Sequence, residues 1–211
     1  MNDISFLYKR LIELCLKHKL HHVSSYFSVM PVLYEVFSQK KENDIFVLSN
    51  GHSSTALYVV LEELYGIDAE RMIKEHGMHP KMNHQDKIFC STGSLGMGIT
   101  VATGAAFADK ARDVYVVISD GECAEGSVWE ALRFKNDNKL NNLKVYVNAN
   151  GYTAYDSIDV NTLEKRLKSF CKDVNFCDTR SSFDFLDCVD GHYKQINDSN
   201  LQEFINFFVG E

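Results

Sequence analysis

Val114-Tyr-Val-Val-Ile-Ser119 with Asp120-Gly121-Glu122 behind it, and Leu143-Lys-Val-Tyr-Val-Asn148 with Ala149-Asn150-Gly151 behind it, decide the fold. Both are β-branched, apolar runs bounded by polar and glycine residues, and they read as buried parallel strands. Between them Glu125 to Lys139, with Val128 and Leu132 toward the sheet and a polar side around Lys135, reads as the crossover helix. The expected fold class is α/β, a parallel central sheet flanked by helices on both faces. Ligands of such sheets sit beyond the carboxyl ends of the strands. Asp120 and Asn150, 30 residues apart and each just past a strand, are therefore expected side by side over one cavity. Their oxygens suit a hard cation such as Mg2+, which takes few protein oxygens and completes its shell with phosphate. An Asp before Gly is also ordinary turn or cap chemistry; the distance to Asn150 favours the cation site.

Composition frames this site. With 211 residues, 45% of them hydrophobic, the chain is expected to form a single domain over 1–211, burying about 70% of its unfolded surface. No apolar run approaches the ~20 residues that cross a bilayer. The start, Met1-Asn-Asp-Ile-Ser, lacks the basic and small-residue features of a secretory leader, so a cytoplasmic protein is expected. Six cysteines without a Cys-x-x-Cys pair read as structural thiols. A net charge of −7 speaks for neither nucleic acid nor an acidic membrane as partner.

Neither repeats nor proline-rich linkers interrupt the chain. Ile4 to Lys19 places Ile4, Leu7, Leu11, Leu14 and Cys15 on one helical face, and Val29 to Phe37 continues the period with Pro31 in a first turn. Thr55 to Leu64 and the Ala- and Gly-rich Ile99 to Asp109 are further helices, the second able to approach a sheet closely. Helical pattern returns at Val160 to Phe170 and Leu201 to Phe208, with a mixed stretch between.

The Asp120 and Asn150 segments resemble the signature of the thiamine-diphosphate enzymes, and above all of the transketolase family. Leu48-Ser49-Asn50-Gly51-His52, His79-Pro80, Ser91-Thr92-Gly93-Ser94-Leu95-Gly96-Met97-Gly98, Glu125-Gly126 and Val189-Asp190-Gly191-His192 follow in family order. The resemblance covers the diphosphate-binding domain alone and implies the N-terminal subunit of a split transketolase. On that resemblance the side chains of Asp120 and Asn150 and the carbonyl of Tyr152 hold Mg2+, for which Ca2+ or Mn2+ can substitute. Thiamine diphosphate would be met by His52, Gly93, Ser94, Leu95, Asp120, Gly121, Glu122 and Asn150. His22, His52 and His79 would line the cleft above the reactive ring as catalytic groups, an imidazole near its ordinary pKa of ~6.5 being able to give and take protons. Glu125 would stand at a subunit interface. The implied partner is a separate C-terminal transketolase-like subunit carrying the pyrimidine-binding domain and the activating glutamate, in an α2β2 assembly that moves a two-carbon ketol unit between sugars.

Plainer explanations stand beside these. Gly93, Gly96 and Gly98 fit a tight strand-to-helix turn, and Glu125 fits the positive end of a helix. His18, His21, His76 and His84 read as surface or satisfied core residues. Ser119 stands where most relatives have Gly, His22 lacks the flanking glycines of its family context, and His79 keeps only its following Pro. The chain stops at Glu211 without the closing strand and basic, glycine-rich tail expected after Asp-Gly-His. Two other functions are compatible with the motifs: a thiamine-diphosphate enzyme acting on a 2-oxoacid, and a non-catalytic cofactor-binding or regulatory subunit.

Overall fold

The computed structural model describes residues 4–181 and 183–210; expectations attached to Met1-Asn-Asp and to Glu211 lie outside the described residues. Strands β1 (Ile45–Leu48), β2 (Val114–Ser119), β3 (Leu143–Ala149) and β4 (Asn175–Asp178) form one parallel sheet in the order β1-β2-β3-β4. The helices are α1 (Ser5–His18), α2 (Val23–Gln39), α3 (Ser54–Tyr65), α4 (Ala69–His76), α5 (Met97–Ala108), α6 (Gly126–Asp137), α7 (Val160–Phe170) and α8 (Leu201–Phe208). Successive strand residues point to opposite faces, and here they sort into two apolar clusters. Phe46, Leu48, Tyr115, Val117 and Tyr146 pack with α1 to α4 and α8. Ile45, Val47, Val114, Val116, Ile118, Leu143, Val145 and Val147 pack with α5, α6 and α7. Helices thus cover both faces, which is why the strands read as continuous apolar runs. No helix among the described residues is long and apolar enough to cross a membrane.

Register positions the site. Ser119 pairs with Asn148, and Leu48 with Val117, so the segments after β1, β2 and β3 leave the sheet at one end. Gly98, at the start of α5, lies against the Ser49 backbone: a Cβ there would stand 2.5 Å from Ser49 Cα. Gly98→Ala is accordingly expected to lower stability by about 1–3 kcal/mol, measured by urea unfolding. An unchanged midpoint would mean that α5 is not held this close to the sheet.

Two expectations need correction. Pro31 does not sit in a first turn, because α2 begins six residues earlier than expected, at Val23 rather than Val29. A proline inside a helix leaves the carbonyl four residues back without its donor; that carbonyl, of Phe27, accepts the Tyr8 hydroxyl at 3.4 Å. Lys135 does not belong to a polar side. It is 2% exposed, with its Nζ on the Asp173 carboxylate. Strands β1 and β4 and helix α4 lie where no element was expected.

Candidate active site

Asp120 follows β2 and is 2% exposed. Its Oδ1 accepts the Gly121 N–H at 3.0 Å and its Oδ2 the Gly151 N–H at 2.7 Å, which ties the loop after β2 to the loop after β3. Burial pushes this carboxyl up to about 7, against the opposing pull of the Gly151 and Gly121 amides. A buried carboxylate of raised pKa is one that a neighbouring cation would stabilise in its ionised form. Asn150 stands beside it: its Oδ1 accepts the Tyr152 N–H at 3.0 Å, and its Nδ2 donates to Ser28 Oγ at 3.2 Å. Ser28, from α2, also accepts from Asn148 Nδ2 at 3.0 Å.

A cavity of about 230 Å3 opens here, bordered by His22, His52, His79, Gly93, Leu95, Asp120, Gly121, Glu125, Asn150 and Tyr152. These residues come from six separate stretches of chain, and the fold brings them together. Ser94 and Glu122 do not border it. Ser94 is exposed; Glu122 is fully buried beneath the site. There Glu122 Oε1 accepts Ser49 Oγ–H at 2.6 Å and the Gly96 N–H at 2.8 Å, while Oε2 accepts the Ser119 N–H at 3.0 Å. Burial raises the pKa of Glu122 and these donors lower it. One carboxylate therefore joins the ends of β1 and β2 to the loop before α5. The glycines divide similarly. Gly96 adopts φ 77 and would meet Ser127 and Glu125 if it carried a Cβ, and Gly98 is required by packing, so local geometry explains both. Gly93 borders the cavity and carries the His79 ring, 3.0 Å from the place of its missing Cβ.

His192, in the Val189-Asp190-Gly191-His192 motif, is not among the expected site residues. The structure puts its ring 4.2 Å from that of His22 and 5.5 Å from that of His52, centroid to centroid. The His22 N–H donates to the His192 carbonyl at 3.0 Å, a contact across 170 residues that local pattern does not reveal. Burial first, and His192 next, push His22 down to about 4 and His52 to about 3. Burial lowers His192 as well. These lowered values leave the rings neutral at pH 7. Two buried polar atoms here, His22 Nδ1 and Asn50 Oδ1, have no partner among the described residues, as expected where a polar ligand supplies one.

The histidines set a pH dependence. An imidazole whose folded-state pKa lies below its unfolded value of about 6.5 leaves stability intact above that pH and erodes it below, since only the unfolded chain takes up the proton. Asp120 acts in the opposite sense, its burial costing more as pH rises toward about 7. His52→Gln is therefore expected to flatten the fall in thermal midpoint between about pH 6.5 and 5. Equal slopes in variant and wild type would refute the assignment.

A larger cleft of about 670 Å3 lies on the far side of Asn150, walled by Tyr8, Phe27, Phe207 and Phe208. Its lining mixes these rings with polar groups, Glu35, Asp178 and Arg180 among them, but Asp178 and Arg180 are paired with each other, whereas Asp120, Asn150 and the imidazoles of His22, His52, His79 and His192 converge in the smaller cavity, which is the better candidate.

Residues 37–175 match the family model of the transketolase thiamine diphosphate binding domain. Over 190 residues the chain is 33% identical to one of the subunits of the apulose-4-phosphate transketolase of Phocaeicola vulgatus, covering 79% of this chain and 67% of that protein. It is 39% identical over 119 residues to the transketolase of Pongo abelii, covering 51% of this chain and 19% of that one. The structure of transketolase from Leishmania mexicana superposes with a TM-score of 0.58 at 19% identity, over 86% of this chain and 37% of that chain, a likeness of fold. The chain thus belongs to the transketolase family, and the cavity-bordering residues from His52 to Tyr152 lie in the stretch that matches its thiamine diphosphate-binding domain.

Proposed function

We propose that this chain is the N-terminal, diphosphate-binding subunit of a split transketolase. It binds thiamine diphosphate through Mg2+ and, with a separate subunit carrying the pyrimidine-binding domain, transfers a two-carbon ketol unit between a ketose and an aldose. The observation that carries the proposal is the convergence of Asp120 and Asn150 with His22, His52 and His79 on one cavity. The donor set fits the cofactor. A cation would stabilise the ionised Asp120, Asn150 and the Tyr152 carbonyl add hard oxygens, and phosphate completes a magnesium shell. Gly121 offers an amide to the diphosphate, and His52 and Gly93 border the same space. Bound there, the cofactor would supply the nucleophilic carbon chemistry of ketol transfer, and the neutral imidazoles of His22 and His52 would orient sugar hydroxyls by hydrogen bonds at their ring nitrogens. His192 joins His22 and His52 in that role.

The cavity is smaller than the about 300–1,000 Å3 of sites that enclose a ligand, in keeping with a cofactor covered by a second protein. Helix α5 also has no charged residue, and it leaves Met97 52% and Val101 40% exposed beside the cavity-bordering Leu95 and Glu125. A helix apolar on all sides is ordinarily buried. This face suits a partner subunit, and Glu125 is placed for the interface of an α2β2 assembly. The Phocaeicola vulgatus relative, itself one subunit of a transketolase, supports the same division, with a phosphorylated ketose as the class of substrate. The six free thiols suit a reducing cytoplasm.

Native mass spectrometry of the protein gently purified from its source organism tests the proposal. The expected result is two copies of this chain with two of a second chain, gaining two cofactor masses when thiamine diphosphate and Mg2+ are added. A chain that gains no cofactor mass, or a complex that consumes pyruvate instead of exchanging ketol units, would overturn it.

A further inference from the structure

We propose that Asp86 is a positioning residue for His79, the far anchor of the loop that carries it. The proposal rests on the assignment of His79 to the cofactor cleft. After α4 the chain turns at Gly77, whose φ of 72 belongs to the left-handed half of the map, and runs out and back as a narrow hairpin. Asn83 and Ile88 exchange backbone hydrogen bonds of 3.0 and 2.9 Å; the Thr92 N–H donates to the Pro80 carbonyl at 3.2 Å and the Met82 N–H to Ser91 Oγ at 2.8 Å. His79 and Gly93 face each other at the hairpin's base, and Asp86 sits at its tip.

Asp86 is 3% exposed. Both terminal nitrogens of Arg71 donate to its carboxylate, His76 Nε2 lies 2.8 Å from Oδ2, and Asn83 Nδ2 donates to Oδ2 at 2.9 Å. Arg71 and His76 both belong to α4, so the tip is fastened to the helix from which the hairpin departs. The Arg71 guanidinium beside Asp86 holds its carboxyl below the usual carboxylate range. Glu75, His76 and Asp86 have ligand atoms within 4.8 Å of one another, but Arg71 already brings a positive charge to that spot. The cluster is a strap, not a cation site.

The strap matters to His79 because that ring packs on Gly93 and forms no hydrogen bond to any described residue. Its place is set by the hairpin's backbone. At the base the hairpin is held by Ser54 Oγ donating to the Met78 carbonyl at 2.8 Å and Tyr58 Oη to the Gly77 carbonyl at 3.3 Å. Ile88 in the core and Lys81 Nζ on the Glu75 carbonyl at 3.0 Å help keep the hairpin in place; releasing the Asp86 anchor would loosen the arm that carries His79 and shift the imidazole with it.

The test compares histidine ring signals in NMR spectra of the full chain and its Asp86→Asn variant, with His79→Ala identifying the His79 signal. The expected result is that D86N shifts or broadens the His79 ring signal and leaves those of His52 and His192 in place. A change confined to His76 would reduce Asp86 to a structural ion pair and overturn the proposal. If D86N does not fold, Arg71→Gln cuts the same strap from the more exposed side, and the same two outcomes apply. In the complex with its partner subunit, D86N is expected to weaken thiamine diphosphate binding or raise the KM for the donor sugar about tenfold with kcat little changed, and to add nothing in a His79→Ala background. Additive losses would overturn the positioning role. If D86N moves the His79 signal while H79A alters neither affinity nor KM, the strap stands and the assignment of His79 to the cleft fails.

Discussion

Asp120→Asn is expected to reduce Mg2+-dependent binding of thiamine diphosphate by more than about 100-fold, the upper range for losing a group that supports a metal, while leaving the chain folded. The two halves of this result have one cause. Burial holds the Asp120 carboxyl at about 7 in the absence of a cation, against an unfolded value of about 3.9, so keeping it ionised above pH 7 costs on the order of 4 kcal/mol. A carboxyl raised on folding contributes its stability at low pH and loses it as pH rises through the folded value. At pH 8 the cation-free wild type bears that cost and the asparagine variant does not. The amide still accepts from Gly121 or Gly151 through one oxygen, and its nitrogen leaves the other N–H unpaired, at about 1–3 kcal/mol, less than the cost it removes. Calorimetric titration with cofactor and Mg2+, together with thermal unfolding at pH 8 without them, reads both halves. A variant that binds within fivefold of wild type would remove Asp120 from the metal site.

Glu122→Gln is expected to cost about 1–3 kcal/mol of stability, the range for leaving a buried backbone donor without its acceptor. Each oxygen of the Glu122 carboxylate faces a backbone N–H, Gly96 on one side and Ser119 on the other. A glutamine amide must turn its NH2 toward one of them, setting donor against donor in a site with no exposure. Either orientation loosens a loop that borders the cavity, so cofactor affinity should fall along with the urea midpoint. Glu122→Asp, which keeps the charge but shortens the reach, separates the causes: recovery of stability with weakened cofactor binding would place the effect in loop position. An unchanged unfolding midpoint for E122Q would show that the carboxylate is not the junction described.

Where pattern and periodicity are governed by burial on both faces, the sequence was readable. Val114–Ser119 and Leu143–Asn148 are such stretches, and their shared register carries Asp120 and Asn150 to one end of the sheet. Strand β1, Ile45-Phe-Val-Leu48, is equally apolar but only four residues long, too short to separate from the motif that follows it. Strand β4, Asn175-Phe-Cys-Asp178, is polar at both ends, and both terminal residues are exposed, so it lacks the continuous apolar run that marks β2 and β3. The start of α2 was hidden by Pro31, whose cost is met by a hydroxyl from another helix. Glu122 was legible as part of a motif but not in its direction: whether a carboxylate after a strand faces ligand or core depends on Ser49 and Gly96, which lie 73 and 26 residues away. His192 joins the site through a long-range backbone contact for the same reason.

His22 caps the start of α2, and Ser28 lies six residues further on, about 9 Å along the helix axis. Ser28 grips the amides of Asn148 and Asn150 with a single hydroxyl. Over so short a length a helix behaves as a rod, so the rim of the cavity at His22 and its floor at Asn150 travel together. On the proposed assignment of His22 to the sugar and Asn150 to the cation, a sugar that tugs the imidazole would also turn the amide, so that the two ends of the cleft would be felt by one lever.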